Sequence, residues 1–264
     1  MHKKLALIGL IFLILSVCLF SGDRERKEFY LKAVNEEDTN QKVVLLKEFI
    51  QKYGNVEDDF LRYVYVQLTD TSYKLKKYDD TITYGEKSLE FTDISGGNKQ
   101  RVLFMLANSF YITKQNPDKA VEYASGMLKL TEDIIKNSEK TNMSEEKRQS
   151  FIDSQKKFYI MGGHKLLTFI AYDKSKKDPA YLPEAANKAV EFYKLAPDEK
   201  TRRLVLTLAN ELFKKKKLKE AISAVETVTD KNNLNERIAN FLATLYYKDG
   251  DKAKAVSYYE KAYM

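Results

Sequence analysis

The chain has 264 residues, 44% hydrophobic and 31% charged, which is ordinary globular composition and enough for one large domain or two small ones. Ten glycines and four prolines leave too little turn material for an all-β fold, and a single cysteine excludes a disulfide framework. The net charge of +7, to which Lys3 and Lys4 contribute two, is too mild to mark a dedicated nucleic-acid binder.

Residues 1–22 open with His2, Lys3 and Lys4 and continue with uncharged, mostly apolar residues from Leu5 to Phe20. This pattern predicts an export signal or a membrane anchor, with the lysines held on the cytoplasmic side and the remainder carried across. The run falls just short of the roughly 17–25 residues of a spanning helix. Small residues suited to a signal peptidase are scarce around Ser21 and Gly22. Leu15-Ser16-Val17-Cys18 resembles the lipobox of bacterial lipoproteins, in which the cysteine is acylated, although Val17 is larger than the residue normally found before it. Lipidation of Cys18, an uncleaved anchor and a freely secreted body all stay open, and two of the three tether the protein to a membrane.

From 23 to 264 the pattern is helical. Residues 24–54 read as a degenerate helix pair ending at Gly54. Between 57 and 93, Leu68-Thr69 precedes Thr81 and Gly85, and Asp79-Asp80 open the second helix, where carboxylates favour the dipole. Between 99 and 137, Leu106-Ala107 and Phe110 precede Ala120 and Ala124. Asn116 is positioned to cap that second helix and Pro117 to begin it, since proline lacks only an N–H that the first turn leaves unpaired. The stretch from Lys136 to Ser150 has no apolar period and predicts a long loop leading into a Ser144-capped helix. Residues 145–197 hold a first helix too long to place in register between 149 and 182. Gly162-Gly163 beside His164 point to close helix packing there, and Ala185, Ala189 and Pro197 mark the second helix. Residues 202–231 carry Leu208-Ala209, Leu212, Ala221 and Val225, with the lysine run 214–219 in a turn; 236–264 carry Leu242-Ala243, Tyr246, Ala255 and Tyr259.

Ala221 and Ala255 are 34 residues apart. This period and the order of small and large residues resemble the tetratricopeptide repeat over most of 55–264, in divergent form, with Tyr65, Leu103, Val205 and Ala239 in the tryptophan slot. The resemblance implies an all-α fold, a right-handed superhelix or solenoid of antiparallel helix pairs. It implies a non-catalytic scaffold that binds a peptide or partner segment in a concave groove. The groove positions carried over are Asn108, Tyr111 and Ile112; Asn210, Phe213 and Lys214; Thr244, Tyr247 and Lys248; and, in the weaker copy, Asp70, Tyr73 and Lys74. Leu206 and Asn240 stand where carboxylate-clamp members place part of their basic and amide set, so a dedicated clamp is not expected.

An exported, membrane-tethered array of this kind is expected to serve as a scaffold in the bacterial cell envelope or periplasm. "EFIQKYGNVEDDF" (48–60) also loosely resembles the repeat edges of outer-membrane assembly lipoproteins, which gives one alternative. A basic regulatory repeat protein that binds nucleic acid is another, in conflict with the targeting segment. No catalytic residue, cofactor or metal is expected. His164 is the only histidine outside 1–22, and there is no HExxH, nucleophile elbow or phosphate loop. Val256, Tyr259, Ala262 and Tyr263 at helical spacing predict a self-association or partner surface on the last helix.

Overall fold

Five helices of this chain begin where Asp38, Asp58, Asn116, Asp198 or Asn235 takes up a free N–H group of the first turn. The computed structural model describes residues 23–229 and 234–263; the predicted targeting segment and Cys18 lie outside them. Among the described residues there is no strand, and no helix is long and apolar enough to cross a membrane. They divide into two compact units that meet in sequence at Gln115 and Asn116.

The first unit contains α1 (23–35), α2 (Thr39–Tyr53), α3 (Asp59–Lys74), α4 (Tyr78–Leu89) and α5 (Gly96–Thr113). Asp38 caps α2 through Gln41 N, and Asp58 caps α3 through Leu61 N. Val43, Leu46 and Phe49 of α2 and Leu61, Val64 and Leu68 of α3 recur at helical spacing and are all buried in one core. Phe29, Tyr30, Tyr53 and Phe60 pack around it, with ring centroids 4.9–6.2 Å apart. Gly85 lets α4 approach its neighbours closely, since a Cβ there would lie 2.7 Å from Leu106 Cδ2 and 3.2 Å from Thr69 Cγ2.

The second unit contains α6 (Pro117–Ser138), α7 (Glu145–Gln155), a π-helical turn (Lys156–Ile160), α8 (Met161–Lys177) and a 3₁₀ turn (Pro179–Tyr181). It continues with α9 (Leu182–Leu195), α10 (Glu199–Lys214), α11 (Leu218–Thr227), α12 (Glu236–Asp249) and α13 (Lys252–Tyr263). As anticipated, Asn116 caps α6, accepting from Asp118 N and Lys119 N, with Pro117 in the first turn. Asp198 and Thr201 form a reciprocal capping box on α10. The expected long loop at 136–150 is corrected to the six residues between Ser138 and Glu145. A polar segment without apolar period still becomes helix when it continues into a packed one: α7 has no buried residue and runs through the π turn into α8. Ser144 occupies the N-cap, but its side chain makes no capping bond.

The alanine slots explain the pairing. Ala185, Ala189, Ala209, Ala221 and Ala255 are buried in a single core with Leu208, Leu212, Leu242 and Leu245. Small residues let the helix axes approach and leucines fill the remaining space, each fully buried leucine contributing about 1.5–3 kcal/mol. The turns repeat as well. In α10–α11, Lys216 N donates to Phe213 O and Lys217 N to Leu212 O; in α12–α13, Gly250 N donates to Tyr247 O and Asp251 N to Tyr246 O; in α3–α4, Lys76 N donates to Tyr73 O and Lys77 N to Ser72 O. The residue that closes each turn is left-handed, with φ of 60°, 92° and 58° respectively.

Candidate partner-binding site

The nine groove residues inferred from the repeat are divided between the two units. Asn108, Tyr111 and Ile112 lie on α5 of the first; Asn210, Phe213, Lys214, Thr244, Tyr247 and Lys248 lie on α10 and α12 of the second. Within α10, Val205, Leu208, Ala209 and Leu212 face the core, and within α12 Ala239, Leu242, Ala243, Leu245 and Tyr246 do the same. Residues four and seven places apart on the flank of this face then form one stripe per helix: Leu206, Asn210 and Phe213 on α10, of which Leu206 and Phe213 still touch the core, and Asn240, Thr244 and Tyr247 on α12. Phe213 meets Phe241 edge to face at 6.2 Å, which brings α10 and α12 into contact at their aromatic side chains.

Accessibility sorts these residues. Tyr247 is 57% exposed, and Asn210, Lys214 and Lys248 are exposed too. Phe213 and Thr244 are half-buried. The Thr244 hydroxyl donates to Asn240 O within its own helix, and Lys214 pairs with Glu211 at 2.7 Å. On α5, the Asn108 amide donates to Phe104 O at 2.8 Å, Tyr111 is half-buried and Ile112 is exposed. In the weaker copy Asp70 pairs with Lys74 at 2.6 Å, and Tyr73 packs against Tyr78. Val256 and Tyr263 on α13 are 55% and 82% exposed. Phe158 in the π turn, 60% exposed, is an aromatic that repeat spacing does not reach because it stands outside the repeated slots.

The floor beneath α12 is fixed by Tyr246. Its hydroxyl donates to Glu226 Oε1 at 2.5 Å and its ring stacks on Tyr258 at 5.7 Å. Burial first, then the bond to Glu226, pushes the Tyr246 phenol far above the ordinary tyrosine range. His164 lies on α8 with Nδ1 3.7 Å from Glu191. Burial holds it below the ordinary histidine value, against the pull of Glu191 and Glu132, while Lys188 adds to the lowering. The predicted close approach beside it is present: a Cβ on Gly163 would lie 2.7 Å from both Leu128 Cδ2 and Met127 Cε.

In the first unit an open cleft of about 570 Å³ is bordered by Glu57, Asp59, Arg62, Lys87, Glu90 and Asp93. Its charges are largely taken up internally, Arg62 by Asp59 and Asp93 and Lys87 by Glu90. Among the described residues no group of three or more His, Cys, Asp or Glu side chains is placed to hold a metal ion.

Sequential helix pairs, buried alanine slots and turns closed by the same hydrogen bonds define a helical-repeat protein of tetratricopeptide-like architecture. No family model matches the chain, and no curated protein matches it. Similar solved structures include "MamA MSR-1 C2", 13% identical over 77% of this chain and 95% of that one, TM-score 0.37. Pseudomonas aeruginosa pilF is 15% identical over 89% of each chain, TM-score 0.38. TTC0263, a thermophilic TPR protein of Thermus thermophilus, is 10% identical over 90% of this chain and 97% of that one, TM-score 0.31.

Proposed function

We propose that this protein is a non-catalytic interaction scaffold that receives an extended peptide or partner segment along the open stripes of α10 and α12. The observation that carries the reading is the stripe itself: on α10 and α12, Asn210 and Tyr247 are exposed and Phe213 and Thr244 half-buried, beside the buried Leu212, Leu245 and Tyr246. Asn210 offers both a donor and an acceptor to a peptide backbone, and Tyr247 offers aromatic area with little rotamer entropy to lose. Lys214 and Lys248 lie beside the stripes and would meet acidic groups of the partner. On α5 the exposed Ile112 would add an apolar contact within the first unit. We assign the working site to the bacterial cell envelope, with the segment 1–22 as tether, on the grounds of its lysines and apolar run.

The test is a photocrosslinking amino acid placed at 247 and, as a control, at the exposed Val44. A partner that crosslinks at 247 and not at 44, and whose capture falls when Asn210→Ala is added, supports the reading. Equal adducts at both positions would remove it.

A further inference from the structure

Consecutive packed helices joined by short turns alternate in direction, so the turns α8–α9, α10–α11 and α12–α13 lie at one end of the second unit. The 2.7 Å ion pair between Lys174 and Asp118 brings the start of α6 to that end as well. In residues 174–181, 214–220 and 248–254 these turns hold eleven lysines, no arginine, and four carboxylates: Asp178, Glu220, Asp249 and Asp251. With Asp118, Asp173 and Glu211, which pair with Lys174, Lys176 and Lys214 from beside these turns, seven carboxylates face the eleven lysines, and an excess of four positive charges remains. At the opposite end, residues 139–148 and 198–203 hold six basic groups, three of them arginines, against five acidic ones. The unit is therefore polarised along its helix axes.

Lys177, Lys215, Lys216, Lys219, Lys248 and Lys252 are exposed, and none forms an ion pair among the described residues. Helix C-termini attract lysine, but that preference acts on both ends of the unit and leaves the asymmetry unexplained. Repulsion among the lysines is tolerated for no packing gain, since their ammonium groups face water.

We propose that this lysine end is a docking edge for an anionic lipid surface. Ammonium groups are point charges without the bidentate fork that arginine uses on a phosphate or a guanine edge, so lysine alone suits a diffuse plane of headgroups better than a nucleic-acid strand. The charges are spread over three successive turns, which presents them to a surface and not to a groove-bound chain. Tyr181 and Tyr247, 41% and 57% exposed, stand among the lysines as amphipathic rings suited to the headgroup layer. Several lysines near such a surface multiply into strong, salt-sensitive attraction.

The experiment is co-sedimentation of the full chain with vesicles of phosphatidylcholine alone or with about 30% phosphatidylglycerol, at low and high salt. The apolar run binds both vesicle types and Lys3 and Lys4 favour the anionic one in parent and variant alike, so the reading is the part of the excess on anionic vesicles that the turn lysines supply. That excess should be at least about tenfold at low salt and collapse at high salt. It should fall about tenfold or more in the combined variant Lys177→Gln, Lys215→Gln, Lys216→Gln, Lys219→Gln, Lys252→Gln and persist when the same positions are changed to Arg, with helix content unchanged. Equal binding to both vesicle types, or an excess undiminished in the Gln variant, overturns the proposal. So does preferential transfer of the protein from anionic vesicles to added duplex DNA, which would make the edge a nucleic-acid surface.

Discussion

The α10–α13 segment and the 138–177 segment are both helical, yet they are held by different means. In α10–α12 each helix buries an apolar face, α13 adds Ala255 to the same core, and the α10–α11 and α12–α13 hairpins close through the same pair of hydrogen bonds. In 138–177, α7 buries nothing, the π turn leaves Phe158 in solvent, and α8 is held near α6 by the close approach at Gly163. Helical continuity thus says little about where the stabilisation lies; packing density does.

The largest effect that would sharpen this contrast is Leu242→Ala, a fully buried site, expected to cost about 2–5 kcal/mol. Its counterpart Phe158→Ala should stay within about 0.5 kcal/mol, as for other exposed positions. Thermal melts followed by far-UV circular dichroism compare the two, and equal losses would break the distinction. Next comes Gly163→Ala, which forces Leu128 and Met127 aside and should cost about 1–3 kcal/mol by overpacking. If the variant melts like the parent, α6 and α8 are free to separate and the close contact is not what holds the 138–177 segment.

Smaller effects lie in the turns. Gly250→Ala places a side chain at φ 92° and should destabilise by about 1 kcal/mol, whereas Lys216→Gly relieves φ 60° and should stabilise by about 0.4–1 kcal/mol. Opposite signs at equivalent positions 34 residues apart are the signature of a repeated turn. The least is a pH effect. Because burial depresses His164 in the folded state, the unfolded chain takes up its proton first. The contribution is complete above the ordinary histidine value of about 6.5 and is lost as pH falls from there through the lower folded value. His164→Gln should flatten the melting temperature across that window; an unchanged slope would assign it to carboxylates instead.

The repeated pairs were legible in the sequence because alanine and leucine at fixed spacing serve one physical purpose, close approach with filled gaps. The Asn116–Pro117 start of α6 was legible for the same reason, since both residues answer to the chemistry of a first turn. The helix within 136–150 was hidden because exposed helix needs no apolar period, only tolerable propensity and a packed continuation. The register between 149 and 182 was hidden by the π turn, whose extra residue rotates the helical face without altering composition. The left-handed lysines at 76 and 216 carry no sequence signal, because lysine is not selected for that conformation. The lysine run 214–219 was visible, but only the topology joins it to Lys177 and Lys252. Of the groove set, residue identity could indicate chemistry; that Thr244 and Asn108 spend a hydrogen bond on their own helices required the folded backbone.

The hydrogen bond from Tyr246 to Glu226 also has an optical consequence. With no tryptophan among 264 residues, ultraviolet absorption and emission come chiefly from 18 tyrosines. A phenol bonded to a carboxylate and stacked on a second ring is quenched and red-shifted, and burial with the Glu226 bond delays ionisation of Tyr246, as burial does for Tyr30, Tyr65, Tyr73 and Tyr258. The α11–α12–α13 junction therefore contributes Tyr246 and Tyr258 to a late-titrating class of tyrosines, and the loss of that class's share in a Tyr246→Phe variant reads the junction without any introduced label.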